Sequence, residues 1–348
     1  MRTYLINYFA YDTKNHKFDA SVARMDATEI MGQMGISHYD MQTKFSVKNK
    51  ILNSALKFAT DCPQYFKISS KLKESNVIFQ YPILTFTFPV LYKLLRERKN
   101  KIYFLVHDLD GIRYDFNTDR LKSEVRNLNM ADGVIVHTPQ MKELLCRNGL
   151  TTKVVVLGVF DYLAESVPPP AADNLIEIKN TVAFAGNLNK SVFLQKLDKS
   201  EITNDIKIDL YGGKPSWTLT NPHIHYIQRF SPKNVSAIKA GWGLVWDGEE
   251  IGTCSGSLGN YLRYISPHKL SLYLAAGIPV IVWNESAQAS FVAKENVGIT
   301  VSSIQDAFKV INDLDATDYL LKAKNAQRIG SKLKQGDYLK KAIETVLE

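Results

Sequence analysis

Four short apolar runs follow one another through the first half of the chain: NVIFQY (76–81), KIYFLVHD (101–108), GVIVHT (133–138) and KVVVLG (153–158). None alternates polar with apolar residues, so none reads as a strand with one face in water. Continuous runs of this length suit parallel strands covered on both faces. Parallel strands need crossover connections, and the intervening segments supply them. PVLYKLLRER (89–98) and the stretches near 118–128 and 139–147 read as helices. TYLINY (3–8) reads as a first strand, and 19–34 as the helix after it. Strands alternating with helices predict a doubly wound α/β sheet.

The tract SVPPPAADN (166–174) interrupts the series, because three prolines continue neither a helix nor a central strand. Beyond it the alternation restarts. NTVAFAG (180–186), KIDLYG (207–212), WGLVWD (242–247), PVIVW (279–283) and GITV (298–301) read as strands. Helices are expected at 267–277, 303–313, 317–330 and 336–347. The expected organisation is two Rossmann-like domains, 1–165 and 175–330, joined by a linker at 166–174 and followed by a C-terminal segment, 331–348. Ligands of such sheets sit beyond the carboxyl ends of the strands.

The chain's 348 residues are enough for two cores without a disulfide or structural metal. Cys62, Cys146 and Cys254 are odd in number and far apart, which fits a reducing cytoplasm. The longest apolar run, 272–283, is too short to span a bilayer and contains Gly and Pro. The expectation is a soluble or peripheral protein. Residues 1–165 hold 23 Lys and Arg against 17 Asp and Glu. The run KLLRERKNK (93–101) is the densest basic block, and it reads either as a surface for anionic lipid or as a helix end. No nucleic-acid motif is present. No metal site is expected: His223 and His225 lack a third ligand, and HDLD (107–110) is read as unrelated to metal.

The stretch RYISPHKLSLYLAAGIPVIVW (263–283) carries the most chemistry. Ser266 is a good N-cap, Pro267 suits a first turn, and Gly277 suits a C′ stop. The expected helix, of about three turns, begins with His268 and Lys269. A helix N-terminus attracts anions, and a lysine there adds a full charge, an arrangement suited to a diphosphate in a cleft. An ordinary surface lysine beside a satisfied cap histidine fits the same residues. Gly186 and Asn187, in AGNLNKS, form a tight turn with exposed N–H groups or a plain strand-to-helix turn. The polar loop 247–264 leads into the lysine helix. There Asn260, Tyr261 and Arg263 are candidate donor contacts, while Asp247, Glu249 and Glu250 are candidates for sugar hydroxyls. His107 and Asp108 end a strand and so face the cleft. Arg24 and Asp26 are further candidates, as are Tyr8, Phe9 and Tyr11, whose rings suit sugars or a core.

SPHKLSLYLAAGIPVIVW, together with VAFAGNLNKS (182–191), GWGLVWDGEE (241–250), FLVHDLDGIR (104–113) and VIFQYP (77–82), resembles the small bacterial GT-B sugar transferases. Among these it is similar to galactofuranosyltransferases of surface-polysaccharide assembly and to glucosyltransferases that extend O-linked GlcNAc on serine-rich adhesins. The resemblance implies a GT-B architecture: an acceptor-side N-terminal domain, a nucleotide-sugar-binding C-terminal domain, and a last helix packing back toward the first. It implies a UDP-sugar donor, UDP-galactofuranose or UDP-glucose, with no permanently bound cofactor. The acceptor is then a glycan, lipid-linked or protein-linked, and the enzyme sits at the inner face of an anionic membrane or free in the cytoplasm. By resemblance Lys269 contacts the diphosphate, Lys190 does similar work where some relatives carry arginine, and Tyr211 packs by the uridine. Inverting displacement needs a base on the acceptor hydroxyl, for which Asp108 is the candidate with His107 beside it. A non-catalytic nucleotide- or nucleic-acid-binding protein is the competing class.

Overall fold

The computed structural model describes residues 1–12, 17–18, 21–45, 50–83, 85–114, 116–165, 172–201 and 205–348. Residues 166–171 of the expected linker, Asp19 and Ala20 of the expected first helix, and the side chains of Phe9 and Tyr11 lie outside the described residues.

The N-terminal half runs β1 (Thr3–Asp12), β2 (Lys17–Phe18), α1 (Val22–Gln33), β3 (Ser37–Phe45) and α2 (Lys50–Lys71). It continues β4 (Asn76–Tyr81), α3 (Phe88–Glu97), β5 (Lys101–Val106), α4 (Asp110–Arg113) and α5 (Thr118–Leu128). It closes with β6 (Gly133–Val136), α6 (Pro139–Arg147) and β7 (Lys153–Val156). Parallel strands lie in the order β3-β1-β4-β5-β6-β7, with β2 a short antiparallel addition to β1. Four of these strands are the apolar runs of the sequence, and β4, β5 and β6 are buried nearly throughout.

The C-terminal half runs α7 (Ala172–Glu177), β8 (Thr181–Gly186), α8 (Phe193–Asp198), β9 (Lys207–Gly212), β10 (Ile224–Ile227) and β11 (Trp242–Val245). Next come α9 (Gly256–Tyr261), α10 (His268–Ala275), β12 (Val280–Trp283), α11 (Ala289–Glu295) and β13 (Gly298–Val301). The chain ends in α12 (Ile304–Asp313), α13 (Ala316–Gln335) and α14 (Asp337–Leu347). All six strands are parallel, in the order β10-β9-β8-β11-β12-β13. The order reverses between β8 and β11, which is where a doubly wound sheet opens a crevice.

Helix α13 runs five residues past its expected end, because Ile329 and Leu333 continue its buried face until Gly336, at φ +75°, stops it. α14 then crosses back to the first sheet, where Leu339, Ala342, Ile343 and Val346 pack with Leu5, Ile30, Ile78 and Tyr103. Asp161 fixes the crossing by accepting the N–H groups of Tyr338 (3.3 Å) and Leu339 (2.7 Å). Burial nevertheless pushes the Asp161 carboxyl up to about 7 and that of Asp26, which accepts the Leu163 N–H, up to about 6. Both folded values lie above the ordinary 3.8, so the folded chain holds protons that the unfolded chain has released. This contribution to stability is complete below about pH 4 and is lost as pH rises through 6 and 7. Thermal melts at pH 6 and pH 8 are expected to show a falling midpoint, and Asp161→Asn is expected to flatten that fall.

Several elements were not expected. β3 is an edge strand whose SHYDMQTKF mixes charge and polarity along its length, so it shows no apolar run. α2 carries Pro63 in its interior, which interrupts any helical reading. α8, α9 and α11 span six, six and seven residues, too short to establish a period. Residues 172–174 of the expected linker open α7. α10 has eight residues, about two turns rather than three. Its N-cap is Pro267 with no capping side chain. Ser266 instead stands one residue upstream, its N–H directed at His137 Nδ1 and its buried hydroxyl without a partner.

Candidate functional site

The position of α10 is set by small residues beneath it. A Cβ on Gly243 of β11 would lie 2.1 Å from the Tyr273 ring, so glycine lets that ring lie flat on the sheet. The Tyr273 hydroxyl then accepts the Ala185 N–H at 2.7 Å, tying α10 to β8. On the other side, a Cβ on Gly330 of α13 would lie 2.0 Å from the Leu274 carbonyl oxygen. Gly277, at φ +74°, ends the helix as expected. Gly243→Ala is expected to destabilise the fold by about 1–3 kcal/mol through overpacking, read as a lowered denaturation midpoint.

So held, α10 opens its N-terminus onto a cleft of about 420 Å³ between the two sheets. Residues from both halves line it, among them His107, Asp108 and Arg113 on one wall and Asn187, Lys190 and Lys269 on the other. Ser21, Val22 and Ala23 also line it, so the N-terminus of α1 opens onto the same space. Another cavity, of about 410 Å³, lies at the far end of α10 against Ala276 and Gly277, away from the strand carboxyl ends.

Lys269 reaches the crevice between β8 and β11. Its ammonium lies 3.3 Å from the Trp246 carbonyl oxygen and 3.4 Å from Asp247 Oδ2, and 4.4 Å from the centre of the Phe184 ring. A Cβ on Gly186 would stand 3.2 Å from Lys269 Cε, so this glycine gives the lysine stem its path. At the turn after β8, Asn187 Oδ1 accepts the Lys190 N–H at 3.2 Å, and the Ser191 hydroxyl donates to the Asn187 carbonyl. This is the tight turn that the sequence allowed. Lys190 is exposed on the cleft wall and forms no ion pair among the described residues.

Across the cleft, Asp108 follows β5. Arg113 Nη1 lies 2.8 Å from its Oδ2, and the Tyr261 hydroxyl donates to Oδ1 at 3.3 Å. Burial raises the Asp108 carboxyl above its ordinary value against the pull of Arg113. Tyr261 also accepts the Leu109 N–H at 3.1 Å, so α9 fastens the C-terminal half to α4 of the N-terminal half. Gln80 donates its amide N–H to Asn7 and Thr28, which turns its oxygen toward His107 at 2.6 Å. His107 therefore carries its proton on Nε2, and its buried Nδ1 has no partner. Burial holds His107 well below the usual histidine range, and holds His137 and His268 at about 4. All three imidazoles are neutral and gather round Phe160, with ring centres 5.4, 4.7 and 6.4 Å from it. A neutral, buried ring suits His107 to hydrogen bonding better than to proton abstraction.

Three expected contacts stand elsewhere. Tyr211 is buried, packs edge-on to Phe230 and accepts the Lys239 N–H, so its ring is closed off from the cleft. Arg263 stacks 4.4 Å over Trp283 and pairs with Glu285, which braces the loop before α10. Asn260 is exposed on α9 outside the cleft lining. Of the loop acids, Asp247 reaches the cleft, whereas Glu250 pairs with Lys196 and Glu249 lies against Gly256. Arg24 turns its guanidinium to the carbonyls of Gln80 and Pro82, and Asp26 is buried against Leu163. Tyr8 is core.

Two family descriptions match the chain in tandem. "Glucosyltransferase 3-like, N-terminal domain" covers residues 3–159, and "Glucosyltransferase 3-like, C-terminal domain" covers residues 182–346. The chain belongs to the glucosyltransferase 3-like family. It is therefore a glycosyltransferase. The beta-1,6-galactofuranosyltransferase WbbI of Escherichia coli K12 is 28% identical over 98% of both chains. Glucosyltransferase 3 of Streptococcus gordonii is 25% identical over 73% of both. Among solved structures, Anabaena HepE in complex with UDP aligns over 99% of both chains at 13% identity, with a TM-score of 0.63. An E. coli structure described as trehalose-6-phosphate bound with UDP-2-fluoro glucose aligns over 98% of both chains at 11% identity, with a TM-score of 0.60. The fold is the two-domain Rossmann-like GT-B fold.

In this glucosyltransferase 3-like chain, sequence reasoning missed Arg113, His137 and Phe160 as cleft residues. A signal for His137 was present: β5 and the neighbouring β6 are each followed directly by a histidine, in FLVH and VIVH. Arg113 lay inside the quoted FLVHDLDGIR, but its pairing with Asp108 depends on the short α4 turning it back.

Proposed function

We propose that this glycosyltransferase moves a hexosyl unit, galactofuranosyl by preference, from a UDP-sugar to a hydroxyl of a growing cell-surface glycan. The observation that carries the reading is Lys269, set at the N-terminus of α10 and directed into the crevice between β8 and β11. A departing diphosphate gathers negative charge, and a lysine on a positive helix end neutralises it where water is scarce. Lys190 and the backbone of the Gly186–Asn187 turn stand on the same wall to hold phosphate oxygens. In this proposal residues 1–165 form the acceptor side, 175–330 the donor side, and Asp108 is the base.

The galactofuranosyl preference rests on the WbbI relative, which matches along nearly the whole chain. The family descriptions favour a second reading, transfer of a glucosyl unit, for which a protein-linked glycan is the acceptor we infer. Calorimetric titration with UDP and with inorganic phosphate tests the donor assignment. UDP is expected to bind at least about a hundredfold more tightly than phosphate, a difference of about 2.7 kcal/mol. Equal affinities sink the assignment. Faster turnover of UDP-galactofuranose than of UDP-glucose supports the first reading, and the reverse selects the second.

A further inference from the structure

The segment between α9 and α10 belongs to the C-terminal half by sequence and to the N-terminal half by packing. Tyr261 is 4% exposed and lies in the same core as Val106, Leu109 and Ile112, and Tyr264 and Ile265 pack against that core. Hydrogen bonds hold the segment there. The Thr138 hydroxyl donates to the Tyr264 carbonyl at 2.6 Å, the Leu109 N–H donates to the Tyr261 hydroxyl at 3.1 Å, and the Ser266 N–H points at His137 Nδ1. The polar loop that contains this segment is also tied to the donor side. It starts at Trp246 and Asp247, whose oxygens receive the Lys269 ammonium, and it runs into α10, which carries Lys269.

A phenol has one proton and two lone pairs. In Tyr261 the Leu109 N–H takes a lone pair, and the proton goes to Asp108 Oδ1 at 3.3 Å. Burial holds this phenol well above its ordinary range, so it stays a donor at neutral pH. Arg113 holds the other carboxylate oxygen at 2.8 Å. A carboxylate accepts about four hydrogen bonds, so about two positions remain for an acceptor hydroxyl. The two clamps differ in origin. Arg113 lies in α4, within the same half as Asp108, and holds it wherever the C-terminal half stands. Tyr261 holds it only while the C-terminal half is docked.

Taking Asp108 as the base, as proposed above, we propose that Tyr261 is its positioning residue: a hydroxyl carried by the donor half aims the Asp108 carboxylate, so the base is in register only when the donor loop is seated. The other charged groups facing Asp108 are Arg113 and Asp110 of α4 and Arg24 of α1, with Lys190, Asp247 and Lys269 across the cleft. The imidazoles of His107, His137 and His268 beside it are neutral. Removing the Tyr261 hydroxyl alters none of these. It takes one hydrogen bond from the charged carboxylate, so the pKa of Asp108 rises.

The test uses the full chain and follows UDP release from UDP-galactofuranose or UDP-glucose, whichever turns over faster, with octyl glycosides or water as acceptor. Tyr261→Phe keeps the buried ring. It is expected to lower kcat about 10–100-fold, to leave UDP affinity unchanged by calorimetry, and to move the acid limb of the pH profile to higher pH. Thr138→Val removes the neighbouring anchor at Tyr264 and spares the phenol. It is expected to lower the thermal midpoint without moving the acid limb. Tyr261→Phe added to Asp108→Asn is expected to cost less than about twofold more, since no base is left to position. Unchanged kcat and acid limb in Tyr261→Phe overturn the proposal, as does a full further loss in the double variant or an equal movement of the limb in Thr138→Val. A matching loss of UDP affinity in Tyr261→Phe makes the phenol a donor contact and overturns it too. Each of these results leaves Asp108 as the base. Wild-type transfer by Asp108→Asn instead removes the base, and the proposal with it.

Discussion

Lys269→Met is expected to lower kcat/KM for the nucleotide-sugar by about 10²–10³-fold and to weaken UDP binding by about 1.5–3 kcal/mol. Methionine keeps the length and apolar stem of lysine, so the packing against Phe184 and Gly186 survives and the charge alone is lost. The ion pair with Asp247 is partly exposed, with 21% and 29% of the two side chains accessible. Its loss costs little stability, and the thermal midpoint should stay close to wild type. Lys269→Arg is expected to rescue poorly. The stem runs where a Cβ on Gly186 would be only 3.2 Å away, and a planar guanidinium is wider than an ammonium. Calorimetry separates the two components: an uncharged variant that binds UDP as tightly as wild type removes Lys269 from the diphosphate site.

The strength of this prediction comes from the backbone. The first sheet reverses its order at β1 and β4, the second at β8 and β11, and the helix N-termini of α1 and α10 open on the cleft between the sheets. Anion affinity at such ends comes from N–H groups that no turn of helix can satisfy. Lys269 adds a full charge to a field already present, and Gly243, Gly277 and Gly330 hold the helix where that field is useful.

What was legible in advance follows the same physics. Buried parallel strands announce themselves as continuous apolar runs, so β4 to β9 and β11 to β13 were readable within one or two residues at each end. The triple proline marked the break between the halves. Two edge strands were not legible, because β3 and β10 keep polar residues where the edge strands β7 and β13 are apolar runs, and α2 is interrupted by Pro63. The placement of Lys269, Asn187 and Asp108 on the cleft was readable because strand-end and helix-start positions face it whatever their neighbours. Tyr211 and Arg263 were misplaced because side-chain direction decides them. Strand alternation sends Tyr211 into the core beneath Phe230, and Trp283 captures the guanidinium of Arg263. The three histidines round Phe160 come from β5, β6 and α10, so only the tertiary fold assembles them.

Asp108→Asn is expected to reduce transfer by about 10²–10⁴-fold with UDP affinity unchanged. Asparagine keeps the shape and still accepts the Tyr261 hydroxyl, but it offers no oxygen basic enough to take the acceptor's proton. A purely structural Asp108, serving to anchor Arg113, is the competing account, and the two separate on the pH profile. Arg113→Met leaves the carboxylate in place and removes the charge that lowers its pKa, while burial continues to raise it. If Asp108 is the base, the acid limb of kcat/KM then moves to higher pH, and activity returns as the buffer is made more alkaline. If Asp108 only anchors Arg113, both variants lose activity alike, the acid limb stays where it was, and alkaline buffer restores nothing.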